Sequence, residues 1–132
     1  MSSAPKPRTV PARPKYYDLN LAHLPPPGIV SILHRISGAL LFLSIPVLLY
    51  ILQGSLTSEM EFGRWKAVLA HPLCKLVGIG IFYLYAHHFF AGIRYLLLDL
   101  HIGIEKAPSR TSANIVLVLG LVSALAFGWC VW

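Results

Sequence analysis

The stretch Ile36–Ser58, ISGALLFLSIPVLLYILQGSLTS, contains no charged side chain. Two further stretches share this property, Leu76–Ile93 and Thr111–Trp132. The hydrocarbon core of a bilayer requires about 20 helical residues, and each stretch is close to that length. None of the three stretches shows the two-residue alternation of barrel strands, so a lipid-exposed backbone must be helical. The sequence therefore predicts an all-α integral membrane protein with three transmembrane helices.

The predicted domain organisation is an N-terminal arm followed by one transmembrane domain. The arm covers residues 1–29, is basic and contains seven of the ten prolines. The transmembrane domain covers residues 30–132, with spans at about 30–54, 70–98 and 111–132. We extend the second span toward its start because Leu76–Ile93 alone is short for a bilayer, and because Pro72 suits a first helical turn. In the first span, Pro46 predicts a kink.

The composition excludes several classes of function. Hydrophobic residues make up 56% of the chain and charged residues 12%, about half of the charged share of a globular protein. The net charge of +6 is spread over short gaps between apolar stretches, so we expect no nucleic acid partner. Cys74 and Cys130 are too far apart for a zinc motif. Without a nucleophile–base pair or a phosphate loop, an autonomous hydrolase or kinase is not expected.

Basic residues predict the orientation in the membrane. The arm carries four of them, and Arg35 follows at the start of the first span. The loop 99–110 contains Lys106 and Arg110 beside two acidic residues, with Arg94 just before it. The loop 59–66 has two basic and two acidic residues. Basic residues favour the cytoplasmic side of a membrane. We therefore expect a cytoplasmic arm and a C-terminus on the opposite side.

Polar side chains gather at the start of the first span. Ser31 and Arg35 are four residues apart and thus share a helix face, with His34 beside them and Gly38 one turn further on. Arg35 can bind a carboxylate or a carbonyl oxygen, and Ser31 can donate a second hydrogen bond. The alternative is an arginine that extends to the lipid headgroups.

The second span carries a histidine inside an apolar stretch. His88, Gly92, Tyr95 and Asp99 form a single stripe on a helix. A neutral imidazole can ligate haem iron, and Gly92 provides space for a flat porphyrin one turn away. The alternative is a histidine that hydrogen-bonds to a neighbouring helix. His87 points roughly 100° away and is the weaker candidate.

Ligation of haem by two histidines needs a second imidazole. We expect His34 at one membrane interface and His71 near the other, so neither matches the expected depth of His88. The second ligand is therefore expected from another subunit. In the third span, Gly120, Ala124 and Gly128 recur every four residues, which favours close helix packing rather than ligand binding.

Two motifs resemble signatures of one family. Ser31–Gly38, SILHRISG, resembles the S-x-x-H-R-x-[ST]-G signature of the cytochrome b subunit of succinate dehydrogenase. His88–Asp99, HFFAGIRYLLLD, resembles that family's H-x-x-x-G-I-R-[HY]-x-x-x-D signature. Arg13-Pro14 followed by Leu19-Asn20-Leu21 is similar to its N-terminal arm, so the resemblance covers 13–132.

The resemblance implies a membrane anchor of respiratory complex II in a bacterial inner membrane. Such a subunit holds a flavoprotein and an iron–sulfur subunit on the membrane, and a second small anchor subunit completes its helix bundle. Together the two anchors bind one haem b and form the ubiquinone site. Succinate is oxidised at the flavin, so this chain alone is not catalytic.

The same resemblance implies roles for individual residues. His88 is the implied axial ligand of the haem iron. Ser31 and Arg35 match residues of the quinone site, and His34, with Arg35 again, matches residues near the haem propionates. Many members carry His where Tyr95 stands, although a phenol can also hydrogen-bond a propionate.

Two other functions remain open from the sequence. One is a haem-binding anchor of a fumarate reductase or of another quinone-linked dehydrogenase, which a partner flavoprotein would distinguish. The other is a membrane scaffold without redox function, which would lack the absorption spectrum of a b-type haem.

Overall fold

A computed structural model describes residues 24–132 as four helices: α1 (Pro26–Ser55), α2 (Glu59–Leu69), α3 (Pro72–Asp99) and α4 (Lys106–Val131). Within these residues all regular secondary structure is helical. Helices α1, α3 and α4 have 30, 28 and 26 residues and are each long and apolar enough to cross a membrane. The prediction of an all-α protein with three transmembrane helices is confirmed.

Helix α1 begins earlier than the expected span. Its first residue is Pro26, so residues 26–29, which we had assigned to the arm, are helical. A proline at the first helical position has no amide hydrogen to leave unpaired, and its fixed φ suits a helix start. The rest of the expected arm, residues 1–23, lies outside the described residues. Helix α1 includes Pro46, and a kink there stays a prediction.

The segment expected to be a loop at residues 59–66 belongs to a short helix, α2. The hydroxyl of Ser58 accepts a hydrogen bond from the Glu61 amide at 3.2 Å and so caps the helix. Acidic residues in the first turn and Lys66 in the last turn complement the helix dipole. These charges had indicated a loop because they interrupt the apolar pattern, although they also stabilise helix ends.

Trp65 fixes α2 against the end of α1. Its indole meets the ring of Tyr50 edge to face, with ring centroids 5.7 Å apart. It also covers Gly54, where a Cβ atom would clash with the indole nitrogen. The absence of a side chain at Gly54 therefore leaves the space that the Trp65 indole of α2 occupies.

Small residues let α3 and α4 approach each other closely. A Cβ on Gly120 would lie 3.4 Å from the His87 backbone, and a Cβ on Gly128 would lie 3.2 Å from the Ile79 side chain. Ala124 is also buried. The four-residue spacing of small residues in α4 thus serves helix packing, as expected.

Helix α1 is mostly exposed. Its buried residues are Val30 and Ser37, which face the other two long helices. Large apolar side chains on α1 and on the rest of the bundle are accessible, among them Phe42 at 72% and Trp129 at 89%. Soluble monomers rarely expose apolar surface on this scale. Such a surface is suited to lipid and to other membrane subunits, and the chain is a multi-pass membrane protein.

The turn between α3 and α4 closes the end of the bundle where α1 begins. The amide of His101 donates to Leu98 at 2.9 Å and that of Ile102 donates to Leu97 at 3.0 Å. His101 has a φ of 62°, which glycine normally adopts at this position of a helix end. The turn brings the serines of the first α4 turns beside α3.

Candidate functional site

His34 and His88 stack on each other between α1 and α3. Their ring centroids are 4.1 Å apart and the ring planes are 12° from parallel. The expectation that His34 lies at a different depth from His88 is therefore wrong. Because α1 begins at Pro26, His34 is eight residues inside the helix, about 12 Å along its axis.

Two hydrogen bonds orient the imidazole of His88. Its Nδ1 atom lies 3.1 Å from the main-chain oxygen of His34 and 3.1 Å from the hydroxyl of Ser37. The Ser37 hydroxyl donates to the same His34 oxygen at 3.0 Å. A carbonyl oxygen can only accept, so Nδ1 carries the proton and donates. Nε2 then carries the lone pair, and within residues 24–132 no hydrogen bond occupies it.

Ser37 is a site residue that the sequence reasoning did not identify. It is 1% exposed and lies at the same level as the two rings. The available signal was its position three residues after His34, which puts both residues on one face of α1. That spacing does not predict its contact with His88 on α3.

A glycine allows His88 to approach α1. A Cβ atom on Gly38 would lie 3.0 Å from Cε1 of His88, closer than side chains normally pack. Gly92 faces His34, with a Cβ-to-Nε2 distance of 3.9 Å, and space for a porphyrin beside it stays a prediction. Gly38 is therefore the residue whose missing side chain admits the His88 ring.

Tyr95 extends this aromatic cluster. Its ring is tilted over His34 with centroids 5.1 Å apart. Its hydroxyl is buried and has no hydrogen-bond partner within the described part of the chain. An unsatisfied buried donor costs free energy, so the Tyr95 hydroxyl is a donor of this cluster that lacks an acceptor within the described residues.

Ser31 and Arg35 form a separate pair on α1. The Arg35 guanidinium donates through Nη2 to the Ser31 hydroxyl at 3.3 Å, and the arginine is exposed. The structure therefore brings together two groups of expected site residues: Ser31 with Arg35, and His34 with His88 and Tyr95. Arg35 follows His34 directly in sequence, so the two groups are neighbours on α1.

His87 points away from the stacked rings. It is 1% exposed and packs against Gly120 of α4. Both of its ring nitrogens are buried without a hydrogen-bond partner in residues 24–132. His87 and His88 are neighbours in sequence, and His88 is the one that stacks on His34.

Arg94 is a second polar residue that the sequence reasoning used only as an orientation signal. It is 5% exposed and holds the start of α4. Its Nε donates to the Ser112 hydroxyl at 3.0 Å. Its Nη2 donates to the Ser109 hydroxyl at 3.0 Å and to the Ser109 main-chain oxygen at 3.2 Å. The guanidinium also lies 5.6 Å from the Tyr95 ring centre, so it connects α4 to the aromatic cluster.

Comparisons with known proteins identify the family of this chain. The sequence profile of the succinate dehydrogenase/fumarate reductase transmembrane subunit family matches residues 9–127. A curated relative from Coxiella burnetii (strain RSA 493 / Nine Mile phase I), the succinate dehydrogenase cytochrome b556 subunit, is 36% identical over 121 residues. That match covers 91% of this chain and 97% of the relative. The chain belongs to the succinate dehydrogenase/fumarate reductase transmembrane subunit family.

Proposed function

We propose that this chain is the cytochrome b anchor of a succinate dehydrogenase, binding haem b and contributing to the site where ubiquinone is reduced. In this proposal it holds the flavoprotein and iron–sulfur subunits on the membrane with a second small anchor subunit. The name of the Coxiella burnetii relative supports succinate oxidation over fumarate reduction as the activity of the complex.

The hydrogen bond from His88 to the His34 carbonyl carries the haem proposal. A histidine that ligates a metal commonly donates its other ring N–H to a carbonyl, which fixes the tautomer and the ring orientation. His88 has this arrangement through Nδ1, with Ser37 as a second neighbour. The Nε2 lone pair is then the atom that would bind the iron.

His34 does not fit as the opposite ligand. The rings of His34 and His88 are stacked, with centroids 4.1 Å apart and planes 12° from parallel, so their nitrogens cannot both point at one iron atom between them. The second ligand therefore belongs, in our proposal, to the second anchor subunit. The exposed apolar surface around α1 and α3 provides room for that subunit.

Three polar residues near the stacked rings have the chemistry to bind the propionates of a haem. The buried Tyr95 hydroxyl lacks a hydrogen-bond acceptor, and a propionate oxygen would supply one. His34 contacts the Tyr95 ring, and Arg35 adds a positive charge next in the chain. A bound haem would supply a one-electron redox centre, whereas the residues described here bind and orient it.

Ser31 and Arg35 provide hydrogen-bond donors for a quinone. Arg35 lies on the exposed side of α1 and its only described hydrogen bond is the long one to Ser31. Reduction of a quinone places negative charge on its oxygens before they take up protons. A guanidinium held in place stabilises such charge, and the Ser31 hydroxyl can donate to the same ring.

The proposed location is a bacterial inner membrane with the N-terminal arm in the cytoplasm. The basic residues of the arm and of the 99–110 loop support this orientation. Ser31, Arg35 and the turn after α3 would then lie toward the cytoplasmic side, where the proposed soluble subunits bind.

Purification of the native complex tests the proposal directly. We expect the chain to copurify with a flavoprotein and an iron–sulfur protein, and to show the reduced-minus-oxidised spectrum of a b-type haem. A complex without this spectrum would support the scaffold alternative. Preferential turnover of fumarate would instead identify a fumarate reductase.

A further inference from the structure

An open groove runs along the outside of the bundle between α3 and α4. Its volume is about 680 Å³, which is in the range of small-molecule sites. Its walls are apolar over most of their length. The groove is lined by Phe90, Ile93 and Leu97 of α3, and by Ile115, Val116 and Leu119 of α4.

The dimensions of the groove match one lipid tail. On α4 the lining residues extend from Ala107 to Leu119, about 18 Å of helix. The hydrocarbon core of a bilayer is about 30 Å thick, so the groove is about as long as one leaflet is thick. It begins at the end of the bundle where α3 turns into α4.

A positive charge lies at that end of the groove. Arg94 is among the lining residues and is only 5% exposed. The acceptors that the described chain offers it are all neutral: the Ser109 and Ser112 hydroxyls and a main-chain oxygen. Within residues 24–132 no carboxylate pairs with this guanidinium, and a buried charge without an opposite charge is costly.

One nitrogen of Arg94 is available for such a partner. Its described hydrogen bonds come from Nε and Nη2, and none from Nη1. Within residues 24–132, the buried side-chain atoms without a partner belong to His87 and Tyr95. No bond from Nη1 is described within residues 24–132, and Arg94 is one of the residues that line the groove, so Nη1 is the donor that a ligand there would use.

We propose that the α3–α4 groove binds one membrane phospholipid, with an acyl chain between the helices and its phosphate on Arg94. The phosphodiester supplies the missing negative charge as a charge-assisted hydrogen-bond acceptor. The apolar walls exclude water from the tail. The groove lies between α3 and α4, whereas the stacked histidines lie between α1 and α3.

Native mass spectrometry of the intact complex in detergent tests the site. We expect the wild-type complex to retain one phospholipid per copy of this chain. Thr111→Trp, which adds an indole to a lining residue of the groove, should lose that lipid. Val122→Trp is the matched control, because Val122 is on the exposed surface of the same helix and outside the groove. Equal lipid retention in both variants would contradict the proposal.

Wild-type protein alone also tests the site, even if Thr111→Trp fails to assemble. Lipid-stripped complex is titrated with dioleoyl phosphatidylglycerol and with dioleoylglycerol, which lacks the phosphate. We expect the second to bind about tenfold more weakly or worse, because it forms no charge-assisted bond with Arg94. Equal binding of the two lipids would contradict the proposed bond between the phosphate and Arg94.

The alternative occupant of the α3–α4 groove is another protein subunit. Thr111→Cys with a short bifunctional crosslinker distinguishes it, since a lipid-filled groove should yield no crosslink to another subunit. An efficient crosslink from this position, with Cys74 and Cys130 replaced, would overturn the lipid assignment.

Discussion

His88 on α3 donates a hydrogen bond from Nδ1 to the main-chain oxygen of His34 on α1, at 3.1 Å. The bond decides which nitrogen of His88 is free, because the carbonyl acceptor requires the proton on Nδ1. It also connects the two helices that carry the proposed haem and quinone residues.

His88→Leu should abolish or strongly shift the b-type haem spectrum, because the proposed axial ligand is removed while apolar volume is retained. His87→Leu is the matched control on the neighbouring residue. It should keep the spectrum, because His87 packs against Gly120 of α4 and is not part of the stacked pair. The measurement is the reduced-minus-oxidised spectrum of each purified complex. An unchanged spectrum in His88→Leu would mean that another residue ligates the iron.

Ser37→Ala should weaken haem binding by about 10- to 100-fold, the usual effect of removing a group that orients a metal ligand. The control is Ser44→Ala. Ser44 donates to the main-chain oxygen three residues before it at 2.7 Å, as Ser37 does at 3.0 Å, but the Ser44 hydroxyl has no described bond to a histidine. Haem content per complex should fall in the first variant only. A similar loss of haem in both variants would mean that Ser37 acts only through its hydrogen bond within α1.

Gly38→Ala should displace the His88 ring, because the added Cβ would lie 3.0 Å from Cε1. We expect lower haem content and a shifted haem absorption band. Gly80→Ala serves as the control, since a Cβ at that position meets nothing within 4 Å. If Gly38→Ala gives a wild-type spectrum, the close packing of His88 on α1 is not required for haem binding.

Arg35→Ala should lower quinone reduction by about 10²–10³, the typical cost of one lost donor to developing charge. Arg35→Lys should recover only part of the rate, because it keeps the charge and loses the planar guanidinium. Succinate oxidation with a soluble dye that accepts electrons before the quinone should stay at the wild-type rate. Both assays require intact, haem-containing complex. Wild-type quinone reduction in Arg35→Ala would indicate that Arg35 contacts lipid headgroups instead.

The orientation predicts the location of the C-terminus. A reporter fused after Trp132 should be active only if it functions outside the cytoplasm, because three spans follow a cytoplasmic arm. The same reporter fused in the turn after Asp99 should behave in the opposite way. Cytoplasmic activity of the fusion after Trp132 would reverse the orientation and move Ser31 and Arg35 to the other side of the membrane.

The helical class of the protein could be predicted from local pattern because lipid imposes a local requirement. A charge-free stretch of about 20 residues satisfies its own backbone hydrogen bonds only as a helix, whatever its neighbours are. The same reasoning missed α2, whose stability depends on the Ser58 cap and on contacts of Trp65 with α1. It also began the first span at residue 30, although α1 starts at Pro26.

The sequence by itself identified His88, Arg35 and Ser31 as polar residues in an apolar setting, because such residues are costly in a membrane and their helical spacing is regular. Only the tertiary structure decided that His34 stacks on His88 and that Ser37 contacts its ring. The vertical register of α1 against α3 sets these contacts. That register depends on where each helix begins and on a close approach at Gly38, and no periodicity within one helix encodes it.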